Sequence, residues 1–220
     1  KVIFNDRRVL IIDESSKIKQ SDHNKIIKLY PNSIIIYLGD ICQLGPIPSP
    51  IEPNPKSIDF SKFHTIVYKK NYRCKCPKLK VILDSLRGLI LGNHDLNMIN
   101  KYAMDSLKNN KGTDDNYTTN DYIISGTKDK CIFYTEKHKD KPKRWLIKAP
   151  SKGLYVGDII IQETQPPNSE LRHCFTAHSL QGITIKNPNK IYIDPVSIFT
   201  KQMFYTILSR VEYLNQIVLI

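Results

Sequence analysis

The 220-residue chain lacks the long apolar runs that mark membrane proteins and secretory leaders. No apolar run approaches the length of about 20 residues that a membrane-spanning helix needs. The chain is charged at Lys1 and again at Asp6, which is not the pattern of a secretory signal. We therefore expect no membrane partner and no signal peptide.

The chain also lacks a cysteine pattern that would support a disulfide framework or a zinc site. Its cysteines are odd in number and scattered, at Cys42, Cys74, Cys76, Cys131 and Cys174. Cys74 and Cys76 are closer together than paired zinc ligands usually are, and no matching Cys or His pair follows. We expect reduced thiols and an intracellular, reducing location, in the nucleus or cytoplasm of a host cell.

Acidic residues are scarce relative to basic ones. The chain has 33 lysines and arginines against 21 aspartates and glutamates, which gives a net charge of +12. Such an excess favours a polyanionic partner, either nucleic acid or an anionic membrane surface. A solvated basic surface without a partner is the alternative, and charge alone does not separate the two.

Two short apolar runs each end in acidic residues. Residues 9–12 lead into Asp13 and Glu14, and residues 33–38 lead into a turn that contains Asp40. A helical pattern separates the runs, so their order predicts a parallel sheet whose strands are buried on both faces. Ligands bind at the carboxyl ends of such strands, where adjacent carboxylates suit a magnesium ion and a polarised water. A buried strand followed by a polar turn is the structural alternative.

Further helices and strands follow from periodicity and from the positions of glycine and proline. The predicted helices span residues 22–29, 77–90, 96–107, 128–139 and 199–208. The predicted strands span residues 65–68, 122–125, 145–147, 154–156, 159–161, 171–176, 190–193 and 216–220. The proline-rich residues 45–55 form either an ordered surface loop or a flexible linker.

Four stretches place polar residues next to a strand or helix in one characteristic order. They are Asp13-Glu14, GDICQL at residues 39–44, TAHSLQGIT at residues 176–184, and YTILSRV at residues 205–211. Together they resemble the motor core of superfamily 1 nucleic-acid helicases, and most of all its RecD-like and Pif-like branch, 1B. The resemblance covers residues 9–220.

That resemblance implies an α/β fold of tandem RecA-like lobes with parallel sheets. Residues 1–64 would be the rear part of an incomplete first lobe, which carries the Asp-Glu and GDxxQ motifs. Residues 65–220 would be the second lobe, with a small β insertion, a reduced SH3-like one, at about residues 141–170.

In the first lobe, the resemblance implies that Asp13 holds a Mg²⁺ ion on the substrate ATP. Glu14 would share the metal site and polarise the attacking water. Asp40 would bind the nucleotide and, with the catalytic Gln43, sense its γ-phosphate.

In the second lobe, the resemblance implies two catalytic arginines, Arg73 in an Asn-Tyr-Arg stretch and Arg210 as the arginine finger. Guanidinium suits this task because its planar fork matches phosphate oxygens. The remaining implied residues lie in one stretch: Gln181 and Gly182 line the nucleotide, and Thr176, His178 and Thr184 contact nucleic acid. The structural alternatives are a helix-dipole contact for Arg210, a basic surface position for Arg73 and a core position for His178.

The phosphate-binding loop G-x-x-x-x-G-K-S/T is absent, and no Gly-Lys pair occurs anywhere in the chain. In the family this loop precedes the Asp-Glu strand, so we expect a fragment of a longer chain without ATPase activity of its own. The parent would be an ATP-dependent helicase that moves 5′ to 3′ on single-stranded DNA, with the polarity of the family branch. An RNA helicase of the same superfamily and a non-catalytic nucleic-acid-binding module are the alternatives.

The expected partner is single-stranded nucleic acid, DNA in preference to RNA. A primase or other replication proteins are further expected partners. The bias toward Lys, Asn and Ile points to an AT-rich genome, such as that of a large DNA virus.

Overall fold

A computed structural model describes residues 9–68, 70–149 and 159–220 of the chain. The chain divides into two compact units, unit 1 with residues 1–70 and unit 2 with residues 71–220. The predicted lobe boundary, after residue 64, lies within unit 1. The correspondence of these units to a first and a second lobe stays a prediction.

Unit 1 contains a parallel strand pair joined by a helix. Strand β1 (Val9–Ile12) is followed by helix α1 (Gln20–Leu29) and strand β2 (Ile34–Tyr37). The strands pair in parallel, with Val9 opposite Ile34. Because the strands run in the same direction, both acidic turns lie at the same edge of this sheet, as the sequence predicts.

The two strands of unit 1 are not buried on both faces, contrary to the expectation from their apolar runs. Four residues on one face are 41–61% exposed: Val9, Ile11, Ile34 and Ile36. On the other face, Tyr37 packs edge-on against Phe60 and Phe63, with ring centroids 6.1 and 5.6 Å apart. Successive side chains of a strand point to opposite faces of the sheet. An all-apolar sequence therefore does not reveal whether one face or both faces are covered.

Unit 2 is built from a parallel sheet, a smaller antiparallel sheet and helices. In chain order its elements are α2 (Pro77–Leu91), α3 (Leu96–Ser106), β3 (Tyr122–Ser125), α4 (Lys128–Lys137), β4 (Arg144–Ile147), β5 (Ile159–Ile161), β6 (Ser169–Leu171), β7 (Cys174–Thr176), β8 (Ile191–Ile193), α5 (Met203–Leu208) and β9 (Ile217–Leu219). Helix α2 begins at Pro77, where a missing N–H loses no helical hydrogen bond. The inward face of α2 is apolar and buried.

The parallel sheet of unit 2 has the strand order β7-β3-β8-β9, and each neighbouring pair is parallel. The side chains of the two central strands are fully buried at Ile123, Ile124, Ile191 and Ile193. This is the all-apolar pattern of strands covered on both faces. The predicted α/β class with parallel sheets is confirmed.

The small antiparallel sheet, of order β5-β4-β6, is fixed to the parallel sheet by Arg144. Arg144 is only 2% exposed, and its guanidinium carbon lies 4.2 and 4.9 Å from the ring centroids of Tyr122 and Phe175. It also donates to the carbonyl of Asp121. Because cation–π contacts strengthen when the cation is desolvated, this arginine holds the small sheet against the larger one.

Three predicted elements differ from the observed ones. Residues 65–68 form no strand and are exposed, since an apolar tetrapeptide needs a partner strand to become part of a sheet. Residues 171–176, predicted as one strand, are shared between β6 and β7, which belong to different sheets. The helix predicted at 199–208 begins only at Met203. The strand predicted at 154–156 lies outside the residues that the structure describes.

None of the helices in the described ranges is both long and apolar enough to cross a membrane. The longest of those helices, α2, has 15 residues. At 1.5 Å per residue it falls short of the roughly 30 Å of a bilayer core.

A buried carboxylate joins the loop before β3 to the end of α4. Asp114 accepts from Lys137 Nζ at 2.6 Å, and its second oxygen lies 2.8 Å from His138 Nε2. Burial by itself raises the pKa of Asp114, but these two partners hold that pKa below its ordinary value. The carboxylate therefore stays ionised and ties the loop to the helix.

His173, between β6 and β7, is fully buried and close to this carboxylate cluster. Its Nδ1 lies 3.3 Å from the Tyr117 hydroxyl, while its Nε2 has no hydrogen-bond partner in the described part of the chain. Burial, together with the smaller effects of the nearby Arg144 and His138, lowers the pKa of His173 to about 4. The imidazole is thus held neutral.

We expect the free energy of unfolding to fall as pH drops from about 7 to about 4. The unfolded chain protonates this histidine near pH 6.5, whereas the folded chain protonates His173 only near pH 4. The loss amounts to at most about 3 kcal/mol, and depressed carboxylates such as Asp114 contribute only at lower pH. Denaturant unfolding across this pH range, with NMR titration of His173, measures both quantities.

His173→Gln should flatten this pH dependence, and His64→Gln, at an exposed histidine, is the matched control. A titration midpoint of His173 near 6.5 would contradict the prediction, because the folded and unfolded chains would then bind the same number of protons.

Candidate nucleotide and nucleic-acid site

Strand β1 delivers Asp13 and Glu14 into a tight turn at the edge of the unit 1 sheet. The N–H of Glu14 donates to Asp13 Oδ1 at 2.8 Å, which leaves the second carboxylate oxygen of Asp13 for a ligand. Glu14 has a left-handed backbone, with φ 51° and ψ 41°. Non-glycine residues are uncommon in this region, and such strained residues concentrate at functional sites.

Gly39 brings the second acidic turn against the first. A Cβ atom on Gly39 would lie 2.6 Å from Ser15 Oγ and 3.0 Å from Ser15 N, so a larger residue would require Ser15 to move away. The N–H of Ser15 donates to the carbonyl of Leu38 at 2.9 Å, which ties the turn after β1 to the end of β2. The acidic turns of the two strands are therefore held side by side.

The turn after Gly39 is closed by Asp40. Its Oδ1 accepts from the N–H of Cys42 at 3.0 Å, and its carbonyl accepts from the N–H of Gln43 at 3.0 Å. The side-chain oxygen of Gln43 is buried and has no hydrogen-bond partner within the described ranges. Because a buried acceptor without a donor is destabilising, this oxygen is a candidate ligand contact.

The donor set of this turn fits magnesium. Among the residues that the structure describes, no three His, Cys, Asp or Glu side chains cluster closely enough to form a metal site. Magnesium does not need such a cluster, since one or two carboxylates commonly bind it together with substrate phosphates and water. The exposed carboxylate of Asp13 and the adjacent Glu14 match that requirement.

In unit 2, two of the residues predicted to contact nucleic acid lie on one turn. Strand β7 ends at Thr176 and passes directly into a short 3-10 helix, Ala177–Leu180. The hydroxyls of Thr176 and Ser179 are hydrogen-bonded at 2.9 Å, and His178 is partly exposed on the same turn. The turn therefore presents hydroxyl and imidazole groups at the carboxyl edge of the parallel sheet.

A small cavity beside this turn is lined by cations. It has a volume of about 70 Å³, and its polar lining comes from Lys128, Lys148, Arg172, Thr176 and Ser179. Glu170 offsets part of the charge, because it lies 2.9 Å from Lys148 Nζ and also accepts from Arg172. Sequence reasoning missed these three cations, since they come from elements that are distant along the chain.

Gln181 and Gly182 end the same turn. Gly182 has a φ of 86°, a conformation that strains any residue with a Cβ atom. Gln181 is buried, and its N–H donates to the carbonyl of His178 at 3.3 Å. The chain reverses here and passes to Thr184.

Arg73 and Thr184, predicted for different tasks, are in direct contact. Arg73 Nε donates to the Thr184 hydroxyl at 2.9 Å, across 111 residues of sequence. Arg73 Nη1 donates to the carbonyl of Ser209 at 2.9 Å. The structure thus brings the Asn-Tyr-Arg stretch, the QGIT stretch and the end of α5 together.

Arg210 follows α5 and is 1% exposed. Its Nε donates to the carbonyl of Thr206 at 3.1 Å, and its Nη2 donates to Ser209 Oγ at 2.8 Å. These bonds lie at the carboxyl end of the helix, where a cation is favoured by the helix dipole.

Gln216, which sequence reasoning missed, connects the loops that carry these residues. Its side-chain oxygen accepts from the N–H groups of Glu212 and Tyr213 at 2.9 and 2.8 Å. Its side-chain nitrogen donates to the carbonyls of Ile185 and Asn189 at 3.1 and 2.8 Å. No local pattern in the sequence marks a glutamine for this task, because its partners become neighbours only on folding.

Solved structures of the same fold are helicases. The Pif1 helicase from Candida albicans matches with a TM-score of 0.73 at 14% identity, over 97% of this chain and 71% of that chain. Bacteroides Pif1 bound to ssDNA matches with a TM-score of 0.70 at 17% identity, over 96% and 70%. The Pif1 helicase from Bacteroides in complex with ADP-AlF3 and ssDNA matches with 0.69 at 18%, over 96% and 70%. No family model and no curated protein sequence matches the chain.

At these identities the likeness establishes the fold, that of RecA-like helicase lobes. The predicted resemblance is confirmed at the level of the fold, which is the fold of these Pif1 helicases. The individual roles assigned to the site residues, the viral origin and the primase partner stay predictions.

We expect Gln216→Leu to lower the free energy of unfolding of unit 2 by about 2–4 kcal/mol, because two N–H groups and two carbonyls lose their partner. Gln165→Leu is the matched control: this exposed glutamine makes a single bond to the carbonyl of Ser169, and its loss should cost less than about 0.5 kcal/mol. Urea unfolding followed by far-ultraviolet circular dichroism measures both. Equal stabilities of the two variants would contradict the role of Gln216.

Proposed function

We propose that this chain belongs to an ATP-dependent helicase that moves 5′ to 3′ along single-stranded DNA. The observation that carries the proposal is an acidic, strained turn at Asp13-Glu14 on the fold of RecA-like helicase lobes. Pif1 structures of this fold are complexes with ADP-AlF3 and with ssDNA, which supports nucleotide and single-strand binding here. The polarity follows from the family branch that the motifs resemble.

The groups of unit 1 suit the nucleotide end of the reaction. Asp13 would hold magnesium together with the phosphates, and the metal supplies charge neutralisation when bound. Glu14 accepts the proton of the attacking water, from a position set by its left-handed backbone. Asp40 and Gln43 sense the γ-phosphate, and the attacking water beside it is the donor that the buried oxygen of Gln43 lacks among the described residues.

The groups of unit 2 suit the charge that develops on the transferred phosphoryl group. Arg73 and Arg210 supply guanidinium, and an arginine finger contributes about a thousandfold or more in rate. Gln181 and Gly182 line the nucleotide. The acids belong to unit 1 and the arginines belong to unit 2.

The groups around the β7 turn suit a nucleic-acid backbone. Thr176, His178 and Thr184 contact the strand, and the cation-lined cavity beside Thr176 supplies charge for its phosphates. These contacts do not distinguish bases, as translocation along any sequence requires.

A non-catalytic nucleic-acid-binding module is the second candidate. The observation that favours it is the absence of any Gly-Lys pair, and hence of a phosphate-binding loop, from the 220 residues. On either proposal, we infer that this chain by itself binds single strands without appreciable ATP turnover.

The chain should bind a single-stranded oligonucleotide with an affinity that falls steeply with salt. Lys128→Gln and Lys148→Gln should each weaken binding several-fold and reduce the salt slope by about 0.7, since each removes one phosphate contact. Lys139→Gln, at an exposed lysine paired with Glu136, is the matched control. Fluorescence anisotropy across a salt series measures these effects.

An oligonucleotide affinity that does not change with salt would contradict the proposal that these basic residues contact strand phosphates. Tighter binding to an RNA oligonucleotide of the same sequence would favour the RNA helicase over the DNA helicase, because the two cores share their motifs.

In the full-length protein that carries this sequence, Glu14→Gln should lower strand-stimulated ATP turnover by about 10²–10⁴-fold and leave nucleotide affinity nearly unchanged. The amide keeps the shape of the side chain but cannot accept the proton. Glu136→Gln, at an exposed glutamate, is the matched control. Steady-state turnover and binding of a fluorescent nucleotide measure the two quantities. Retained hydrolysis in Glu14→Gln would contradict the role given to Glu14. A lack of ATP turnover in the unaltered protein would favour the non-catalytic nucleic-acid-binding module.

A further inference from the structure

Arg73 is held in a fixed geometry by three segments of unit 2. Its Nε and Nη1 donate to the Thr184 hydroxyl and the Ser209 carbonyl, both at 2.9 Å. Its own N–H donates to Asn71 Oδ1 at 3.0 Å. Two residues later, the N–H of Lys75 donates to the carbonyl of Glu212 at 2.9 Å. The side chain is therefore oriented from the guanidinium end and from the backbone.

The charge of Arg73 is not neutralised by any described residue. Its two side-chain acceptors are a hydroxyl and a carbonyl, and its Nη2 has no hydrogen-bond partner within the described ranges. The neighbouring Lys75 differs, since it pairs with Glu212 at 2.6 Å. That hydrogen bond raises the pKa of Lys75 and lowers the pKa of Glu212. Lys75 thus serves the fold, while Arg73 keeps its charge and part of its planar fork for an anion.

Thr184 is exposed, and its hydroxyl, which accepts from Arg73, can also donate a hydrogen bond. A hydroxyl carries one proton and two acceptor lone pairs, and the bond from Arg73 uses one lone pair. The proton remains for an acceptor outside the protein. Because a hydroxyl that accepts from a cation becomes a stronger donor, an anionic acceptor such as a phosphodiester oxygen is favoured.

We propose that the Arg73–Thr184 hydrogen bond couples strand binding to nucleotide hydrolysis. Thr184 donates to a strand phosphate while it accepts from Arg73, and the strengthened bond holds the guanidinium in the orientation that meets the nucleotide phosphates. Thr184 is then a positioning residue for Arg73 as well as a strand contact. This inference rests on the proposed helicase function and names the contact by which the strand would stimulate it.

The test uses the full-length protein that carries this sequence, with Thr184→Val, which removes the hydroxyl, and Thr184→Ser, which keeps it. ATP turnover is measured with and without a single-stranded oligonucleotide, and oligonucleotide affinity is measured without nucleotide. We expect Thr184→Val to lower the ratio of stimulated to basal turnover about tenfold or more, as loss of one charge-assisted bond allows. Thr184→Ser should restore most of that ratio. Thr65→Val, at an exposed threonine bonded only to the Phe63 carbonyl, is the matched control.

A double variant separates coupling from two independent contacts. Arg73→Lys keeps the charge but loses the Nε donor, so it should lower the same ratio. If both residues act through one bond, adding Thr184→Val to Arg73→Lys should lower the ratio by less than about twofold more. Thermal unfolding of each variant shows whether it is folded.

Four outcomes decide the matter. A ratio of stimulated to basal turnover that falls in Thr184→Val and is restored in Thr184→Ser supports the coupling. An unchanged ratio in Thr184→Val with weakened strand binding overturns it and leaves Thr184 a strand contact only. A ratio in Thr184→Ser as low as that in Thr184→Val also overturns the coupling. So does a double variant in which the two single reductions of the ratio multiply. If the unaltered protein shows neither strand binding nor strand-stimulated turnover, the helicase function itself fails, and the coupling fails with it.

Discussion

The buried amide of Gln216 is the contact on which the proposed site of unit 2 depends. It accepts from two backbone N–H groups and donates to two backbone carbonyls, so each end of the amide is matched to its surroundings. Only an amide side chain can serve donors and acceptors in this way. Because all four partners are backbone groups, Gln216 sets the course of the chain through Ile185 and Glu212. The neighbouring Thr184 and Arg210 take their positions from that course.

Two arginines of unit 2 show how the surroundings of a guanidinium decide its use. Arg144 is buried against the rings of Tyr122 and Phe175 and donates to the Asp121 carbonyl, so its guanidinium is enclosed and serves to hold two sheets together. Arg73 is only partly buried, and its side-chain partners within the described ranges are neutral oxygens, so its guanidinium remains accessible to a ligand. Composition counts both residues alike in the net charge of +12, although only one of them is placed for phosphate chemistry.

Local pattern predicted those elements whose residues carry their own signal. Strand β3 and strand β5 have the predicted bounds, since a short β-branched run between breakers is typical of a strand in any context. Residues 65–68 have a similar composition but form no strand, because strand formation also needs a neighbour that the sequence does not specify. The chain also changes sheets at Arg172 and His173, where no glycine or proline marks the break.

By itself, the sequence determined the fold class, the acidic strand ends at Asp13-Glu14 and Asp40, and the identity of the candidate arginines. The fold class and the acidic strand ends follow from periodicity and residue chemistry, which act over a few neighbouring positions, whereas the arginines follow from the resemblance to superfamily 1 helicases. Only the tertiary structure decided that Gly39 packs against Ser15, that Glu14 is left-handed, and that Arg73 lies against Thr184. Such contacts join residues up to 111 positions apart, and they depend on which elements pack together. That choice is made by the whole chain on folding, so no local stretch of sequence contains it.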